Sequence, residues 1–185
     1  KPSSPYASSK VAFDLYLMSI SKFLNFPMNI IRPSNAYCPG QLLHRIIPKT
    51  IVSSLNGKKI PLHGGGKAEK SYIHARDLGR AIYLVSEKAP LGKIYNAGPK
   101  DPTSIKDVVK FCAKALNKNF NDICEVVPDR LGQDSRYWLD SKLIFKDTGW
   151  KQEIFWDEGL KEMVEWGEKY IDILKDYPMD YTLRA

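Results

Sequence analysis

Short apolar runs closed by proline or glycine alternate with stretches of helical periodicity along almost the whole of this 185-residue chain. That alternation narrows the fold more than any other feature, because strands interleaved with helices specify an α/β architecture with parallel pairing. Asn29-Ile30-Ile31-Arg32 reads as a buried strand stopped by Pro33, and Ser34 to Gln41 as a loop. Lys59 to His63 reads as a strand entering Gly64-Gly65-Gly66. Ser71 to His74, the glycine-bounded segment Gly92 to Gly98, Cys124 to Val127 and Arg136 to Leu139 complete the strands. Helical patterns fill the intervals: Arg45 to Leu55, Ala75 to about Glu87, Ser104 to Leu116, a short helix capped by Ser141 and running to Asp147, and Trp156 to about Leu174. The chain opens on one more. Ser4 is a good N-cap and Pro5 suits the first helical position, so a helix is expected to about Phe23, with Val11, Leu15, Met18 and Phe23 near one face. The last ten residues read as a tail.

Composition excludes several classes. No apolar run approaches the roughly 20 residues that span a bilayer. The three cysteines, Cys38, Cys112 and Cys124, are odd in number and far apart, which points to reduced thiols in a cytoplasmic protein and not to a disulfide framework. No Cys/His spacing suits zinc. Lys and Arg outnumber Asp and Glu by 28 to 21, but the basic residues are interleaved with acidic ones and match no nucleic-acid module. A solvated surface accounts for most of them, and an anionic small ligand for a few.

Pro5-Tyr6-Ala7-Ser8-Ser9-Lys10 carries chemistry. At 3.6 residues per turn a tyrosine and a lysine four apart stack on one helical face. A cation beside a phenol stabilises the phenolate, so the tyrosine can act as a base near neutral pH. The His63-Gly64-Gly65-Gly66 run is not read as a lipase oxyanion loop, because no G-x-S-x-G elbow accompanies it. The four tryptophans read as packing residues.

The Tyr6/Lys10 pair resembles the extended short-chain dehydrogenases/reductases that act on nucleotide sugars. Pro5-Tyr6 through Lys10 and Asp14, Arg32-Pro33-Ser34-Asn35-Ala36-Tyr37-Cys38-Pro39, and Asp129-Arg130-Leu131-Gly132-Gln133-Asp134-Ser135-Arg136-Tyr137 are most similar to the dTDP-glucose 4,6-dehydratase pattern. Cys38, Leu131 and Gln133 depart from it. The resemblance covers nearly the whole chain and implies the carboxy-terminal half of an enzyme, since the family's glycine-rich NAD turn precedes the tyrosine and none occurs in these residues. The 185 residues alone are therefore expected to be inactive.

By the same resemblance the cofactor is NAD, held by Tyr6, Lys10, Pro33 and Ala36, with Tyr6 and Lys10 catalytic. A nucleotide-diphosphate sugar would be bound by Asn35, Arg45, Ile46, Pro61, His63, Lys70, Asn96, Asp129, Arg130, Gly132 and Arg136. Turn chemistry is the other reading of Asn35, a solvated side chain that of Lys70, and loop support that of Asn96. Residues 1–35 and 71–98 are expected to complete a Rossmann-type parallel sheet, and 36–70 with 99–185 a smaller α/β substrate domain. The implied reaction is oxidation at sugar C4 followed by loss of water. The alternatives are 4-epimerisation or decarboxylation, or a non-catalytic sugar-nucleotide-binding fragment. The intact parent is expected to be a homodimer, with no nucleic acid, membrane or metal partner.

Overall fold

The computed structural model describes residues 4–129 and 135–180. Helix α1 (Pro5–Leu24) starts as its sequence dictates: Ser4 Oγ accepts from the Ala7 amide at 3.2 Å, and Pro5 occupies the first position, where no amide is needed. It ends at Asn25, whose φ of 52° stops the helix. Strand β1 (Ile30–Pro33) then runs parallel to β6 (Ile94–Ala97), pairing Ile30 with Ile94 and Pro33 with Ala97.

The expected loop after Pro33 is instead a second strand, β2 (Asn35–Tyr37), parallel to β5 (Tyr72–His74). The chain changes partner at Ser34. Its amide donates to Ala97 O at 2.8 Å, while the next amide, of Asn35, donates to Ser71 O at 3.1 Å. Three residues are too few to show alternation, so the pairing is invisible locally.

Helix α2 (Ile46–Leu55) leads to β3 (Ile60–His63), which pairs in parallel with β8 (Cys124–Val127). A small sheet places β4 (Glu69–Lys70) between antiparallel β7 (Thr103–Ser104) and parallel β9 (Arg136–Tyr137). Helices α3 (Ala75–Lys88), α4 (Ile105–Ala115), α5 (Phe120–Ile123), α6 (Lys142–Thr148) and α7 (Trp156–Leu174) complete the described fold. Among the described residues no helix is long and apolar enough to cross a membrane.

Three clusters hold these elements together. Helices α2, α4 and α7 bury Ile47, Ile51, Val108, Cys112, Leu160 and Met163 against Tyr37 and Tyr72. Ile60, Leu62, Val109, Ala113 and Ile123 form a second cluster between α4 and the β3–β8 pair. The third joins Ile73, Ala81, Val85, Tyr95 and Ala97 to Ile144 and Trp150. Residues 142–150 thus pack on α3 and β6, although the division read from sequence groups them with the other unit. Asp147 fixes them there, accepting from Tyr95 Oη at 2.9 Å and pairing with Lys93 at 3.1 Å. Those partners hold the Asp147 carboxyl below its ordinary value, while burial, aided by Asp147, pushes Tyr95 up to about 12.

Asp77 is the main polar joint. Its buried carboxylate accepts from the amides of Ile154 (2.9 Å) and Glu153 (3.1 Å) and from Arg80 (2.9 Å). The Trp150 indole donates to its carbonyl at 3.0 Å. The segment leading into α7 is thereby tied to α3 in a water-poor setting where its amides would otherwise lack partners.

The structure fixes the inward face of α1 and corrects the cap of α6. No residue of α1 is buried, and Val11, Leu15, Met18 and Phe23 are exposed. The face turned inward is Asp14, Leu17, Ile20 and Ser21. Apolar residues surround this helix, so their spacing does not select a face. Ser141 stands at the N-cap of α6 but does not cap it: Asp140 accepts from the Lys142 amide at 2.9 Å, and the Ser141 hydroxyl bonds both the amide and the carbonyl of Gly98.

The triplet after β3 has φ of +57°, +67° and +69° at Gly64, Gly65 and Gly66. A Cβ at Gly66 would lie 2.7 Å from Lys106 N, and one at Gly64 2.6 Å from Asp129 Cγ, whereas Gly65 faces open space. Left-handed backbone favours glycine at all three, and close approach to the main chain requires it at Gly66.

Candidate active site

Asp14 anchors α1 to the sheet by accepting from Arg32 Nε of β1 at 2.7 Å. Tyr6 lies eight residues, or about 12 Å, nearer the start of the helix. The helix runs back along β1, so its start lies toward the carboxyl ends of β1 and β6, where open α/β sheets bind ligands. Lys10 Nζ stands 5.3 Å from the Tyr6 ring centroid, and Tyr6 is 72% exposed. The pair therefore has the geometry expected from its spacing and is open to a ligand.

The sheet β7–β4–β9 supplies the groups nearby. Register puts Glu69 beside Arg136 and Lys70 beside Tyr137. Successive strand residues face opposite ways, so Lys70 and Arg136, both expected at a diphosphate, project from opposite faces. Arg136 pairs with Glu69 at 3.1 Å and stacks on Trp138 at 5.6 Å. Tyr137 interacts electrostatically with Tyr6 and Arg32. Burial raises its phenol above the ordinary value, Tyr6 adds to the rise, and Arg32 opposes it.

At the ends of β1 and β6 the amides are engaged with backbone. Asn35 Nδ2 donates to Ser71 O at 3.0 Å, and Asn96 Nδ2 to Asp140 O at 3.3 Å. Pro33 closes β1, and the Ala36 carbonyl accepts from Gln41 Nε2 at 2.6 Å. Ser34 Oγ and Gln41 Oε1 are buried with no hydrogen-bond partner among the described residues. Neither stood out in the sequence, because a serine and a glutamine in a presumed loop carry no distinctive spacing. Cys38 is half-buried, and burial, with a contribution from Glu162, pushes its thiol up.

The remaining residues lie farther along the chain. Arg45 is exposed at the N-cap of α2 and acts electrostatically on Tyr72, while Ile46 packs into the α2–α4–α7 core. Pro61 pairs with Glu125 across β3–β8. His63 Nδ1 is 3.2 Å from Pro128 O. A carbonyl only accepts, so that nitrogen carries the proton and Nε2, buried and without a partner among the described residues, is the acceptor. Asp129 packs against Gly64. Arg130 and Gly132 lie outside the described residues.

A parallel α/β fold with the Tyr6 phenol and the Lys10 ammonium paired on α1 is the arrangement that the dehydrogenase/reductase resemblance implies. The model of the NAD dependent epimerase/dehydratase family matches residues 1–98, and the chain belongs to that family. It is 33% identical over 174 residues to the dTDP-D-glucose 4,6-dehydratase of Mus musculus, covering 91% of this chain and 49% of that protein. Over 165 residues it is 32% identical to a trifunctional UDP-glucose 4,6-dehydratase/UDP-4-keto-6-deoxy-D-glucose 3,5-epimerase/UDP-4-keto-L-rhamnose-reductase of Arabidopsis thaliana, covering 89% of this chain and 24% of that one. The crystal structure of the Bacillus anthracis dTDP-glucose 4,6-dehydratase in complex with NAD superimposes with a TM-score of 0.85 at 32% identity, covering 94% of this chain and 55% of that chain. The chain thus spans between about a quarter and a half of the length of these curated relatives.

Proposed function

We propose that the protein containing this chain is an NAD-dependent nucleotide-diphosphate-sugar 4,6-dehydratase. The observation that carries the reading is the exposed Tyr6 phenol with the Lys10 ammonium 5.3 Å from its ring. Three features of these residues fit NAD: an ammonium for the nicotinamide ribose, a phenol open to the reacting carbon, and buried oxygens of Ser34 and Gln41 with hydrogen-bonding capacity left where the strands end. When bound, NAD supplies the acceptor for the hydride leaving sugar C4.

The residues of this chain do the rest of that first step. Tyr6 takes the proton from the C4 hydroxyl, and Lys10 favours the phenolate and holds the ribose. Pro33 and Ala36 present backbone to the cofactor. Arg130 and Arg136 supply cations for the diphosphate, with the fork geometry of arginine giving orientation; Lys70, on the other face of the small sheet from Arg136, is left as a solvated cation, and Arg45 covers the base and sugar. Arg136 must exchange its Glu69 partner to meet the diphosphate. Asn35, Asn96, Ile46, Pro61, His63, Asp129 and Gly132 enclose the sugar and base. Residues 1–35 and 71–98 serve the cofactor, and 36–70 with 99–185 the substrate. A homodimer in the cytoplasm is the setting that accompanies this reading.

The test incubates the intact protein with NAD and either dTDP-glucose or UDP-glucose and weighs the product. A sugar nucleotide lighter by one water supports the dehydratase. An isomer of unchanged mass would mark a 4-epimerase instead, and binding without conversion a non-catalytic module.

A further inference from the structure

The tryptophans of this chain do not all pack. Trp150 is buried, Trp156 lies among Tyr37, Tyr72 and Phe111, and Trp166 sits against the same α2–α4–α7 core. Trp138 joins none of the three clusters and is 50% exposed, yet its ring is fixed. The indole donates to Lys100 O at 2.8 Å, beyond the end of β6. Over this ring stands the Arg136 guanidinium, 5.6 Å from the centroid. Strand alternation puts the two residues on one face of the small sheet and turns Tyr137, with Lys70 beside it in register, to the other. The backbone of Arg136 is pinned on both sides: the Glu69 amide donates to Ser135 O at 2.9 Å, and the Ser71 amide to Tyr137 O at 3.0 Å. Its side chain is 63% exposed, and its partners among the described residues are the Glu69 carboxylate, 3.1 Å from Nε, and the Trp138 ring.

We infer that Trp138 is the positioning residue for Arg136, its ring holding the guanidinium in place while the ligand diphosphate replaces Glu69. The inference rests on the proposed function, which sets a diphosphate at Arg136. The two partners differ in what they take from the cation. Glu69 occupies an N–H donor and neutralises charge, so it competes with a phosphate. An ion pair this exposed is weak and exchanges readily. The ring attracts the cation through its π face and supplies no oxygen to the N–H fork, so the fork stays available to phosphate. Once Glu69 is displaced, the ring still restricts a long, exposed side chain. That ordering is then present before the ligand arrives and is not imposed by it.

The experiment titrates the intact protein with dTDP and with UDP in a calorimeter. An exposed cation–π contact changes affinity by about two- to fivefold, so Trp138→Ala should weaken nucleoside diphosphate binding by that factor. Trp138→Phe keeps a π face and should recover most of the loss. Trp138→Leu, apolar but without that face, should recover none. In an Arg136→Ala background, Trp138→Ala should add no further loss. Parental affinity in Trp138→Ala overturns the inference, as does equal binding by Trp138→Phe and Trp138→Leu. A loss repeated in full without Arg136 overturns it too, because the ring would then be touching the ligand itself. Failure of the underlying reading has a different signature: a parent that binds neither nucleotide, or an Arg136→Ala that binds like the parent, removes the diphosphate from Arg136 and the inference with it.

Discussion

Helices α1 and α7 are almost the same length, 20 and 19 residues, yet they do opposite work. Helix α7 buries Gly159, Leu160, Met163, Val164 and Gly167 against α2 and α4, and Trp156 at its start stacks on Tyr37 and Phe111. Helix α1 buries nothing, but carries Tyr6 and Lys10. Its regularity comes from local devices: the Ser4 cap, Pro5 and the Asn25 stop. Within these 185 residues, which span about half of the matched dehydratase, chemistry and stability should therefore separate between the two.

The sharpest way to break that contrast is Tyr6→Phe. Loss of a general base removes about 10²–10⁴-fold in rate, so C4 oxidation should collapse while the melting temperature stays put. A variant that melts normally and still reduces NAD at parental speed would end the assignment. On the packed side, Asp77→Ala should cost about 1–3 kcal/mol in urea unfolding, because it leaves the amides of Glu153 and Ile154 without their acceptor, while Arg80 keeps Glu153 and the Lys151 carbonyl. A loss below about 1 kcal/mol would mean water substitutes freely for the carboxylate.

The third prediction concerns pH. His74 is 1% exposed at the N-cap of α3 and lies against Tyr37, Arg76, Asp77, Glu158 and Glu162. Glu162, 3.4 Å away, favours the imidazolium, but burial outweighs it and holds the folded-state value below 6.5. The unfolded chain therefore takes the proton first, and the contribution of neutral His74 is complete above about pH 6.5 and lost as pH falls toward the folded value. Melting temperature should decline on acidification through that window, and His74→Gln should flatten the decline. An unchanged slope in the variant would assign the effect elsewhere. The smallest effect belongs to α1 again: Phe23 is 86% exposed, and Phe23→Ser should change stability by no more than about 0.5 kcal/mol in the 185-residue chain. A larger loss would show that the exposed ring is covered in solution.

These two helices also divide what the sequence made legible. Trp156–Leu174 and Ala75–Lys88 were readable nearly to the residue, because strong one-sided patterns and clear boundaries agree. The start of α1 was readable from Ser4-Pro5, but its inward face was not, since apolar residues on every side give no direction. Strands of two or three residues, β2, β4 and β7, exist through partners dozens of positions away and leave no local period. At the site, the Tyr6/Lys10 stack follows from helical geometry alone. The opposite projection of Lys70 and Arg136 and the proton on His63 Nδ1 depend on register and on carbonyls contributed from elsewhere in the chain.

The glycine turn after β3 carries an implication for sequence drift. Its three positions share one backbone hand but not one neighbourhood. Gly65 borders empty space, so asparagine, which enters left-handed backbone at modest strain, is admissible there. Gly64 meets a carboxylate on a side chain that can rotate aside. Gly66 meets the main chain at the threshold of α4 and the Leu62 side chain, and nothing there can yield. Three identical letters in a row thus describe a permissive position, a negotiable one and a closed one, and descendants of this chain should diverge at them in that order.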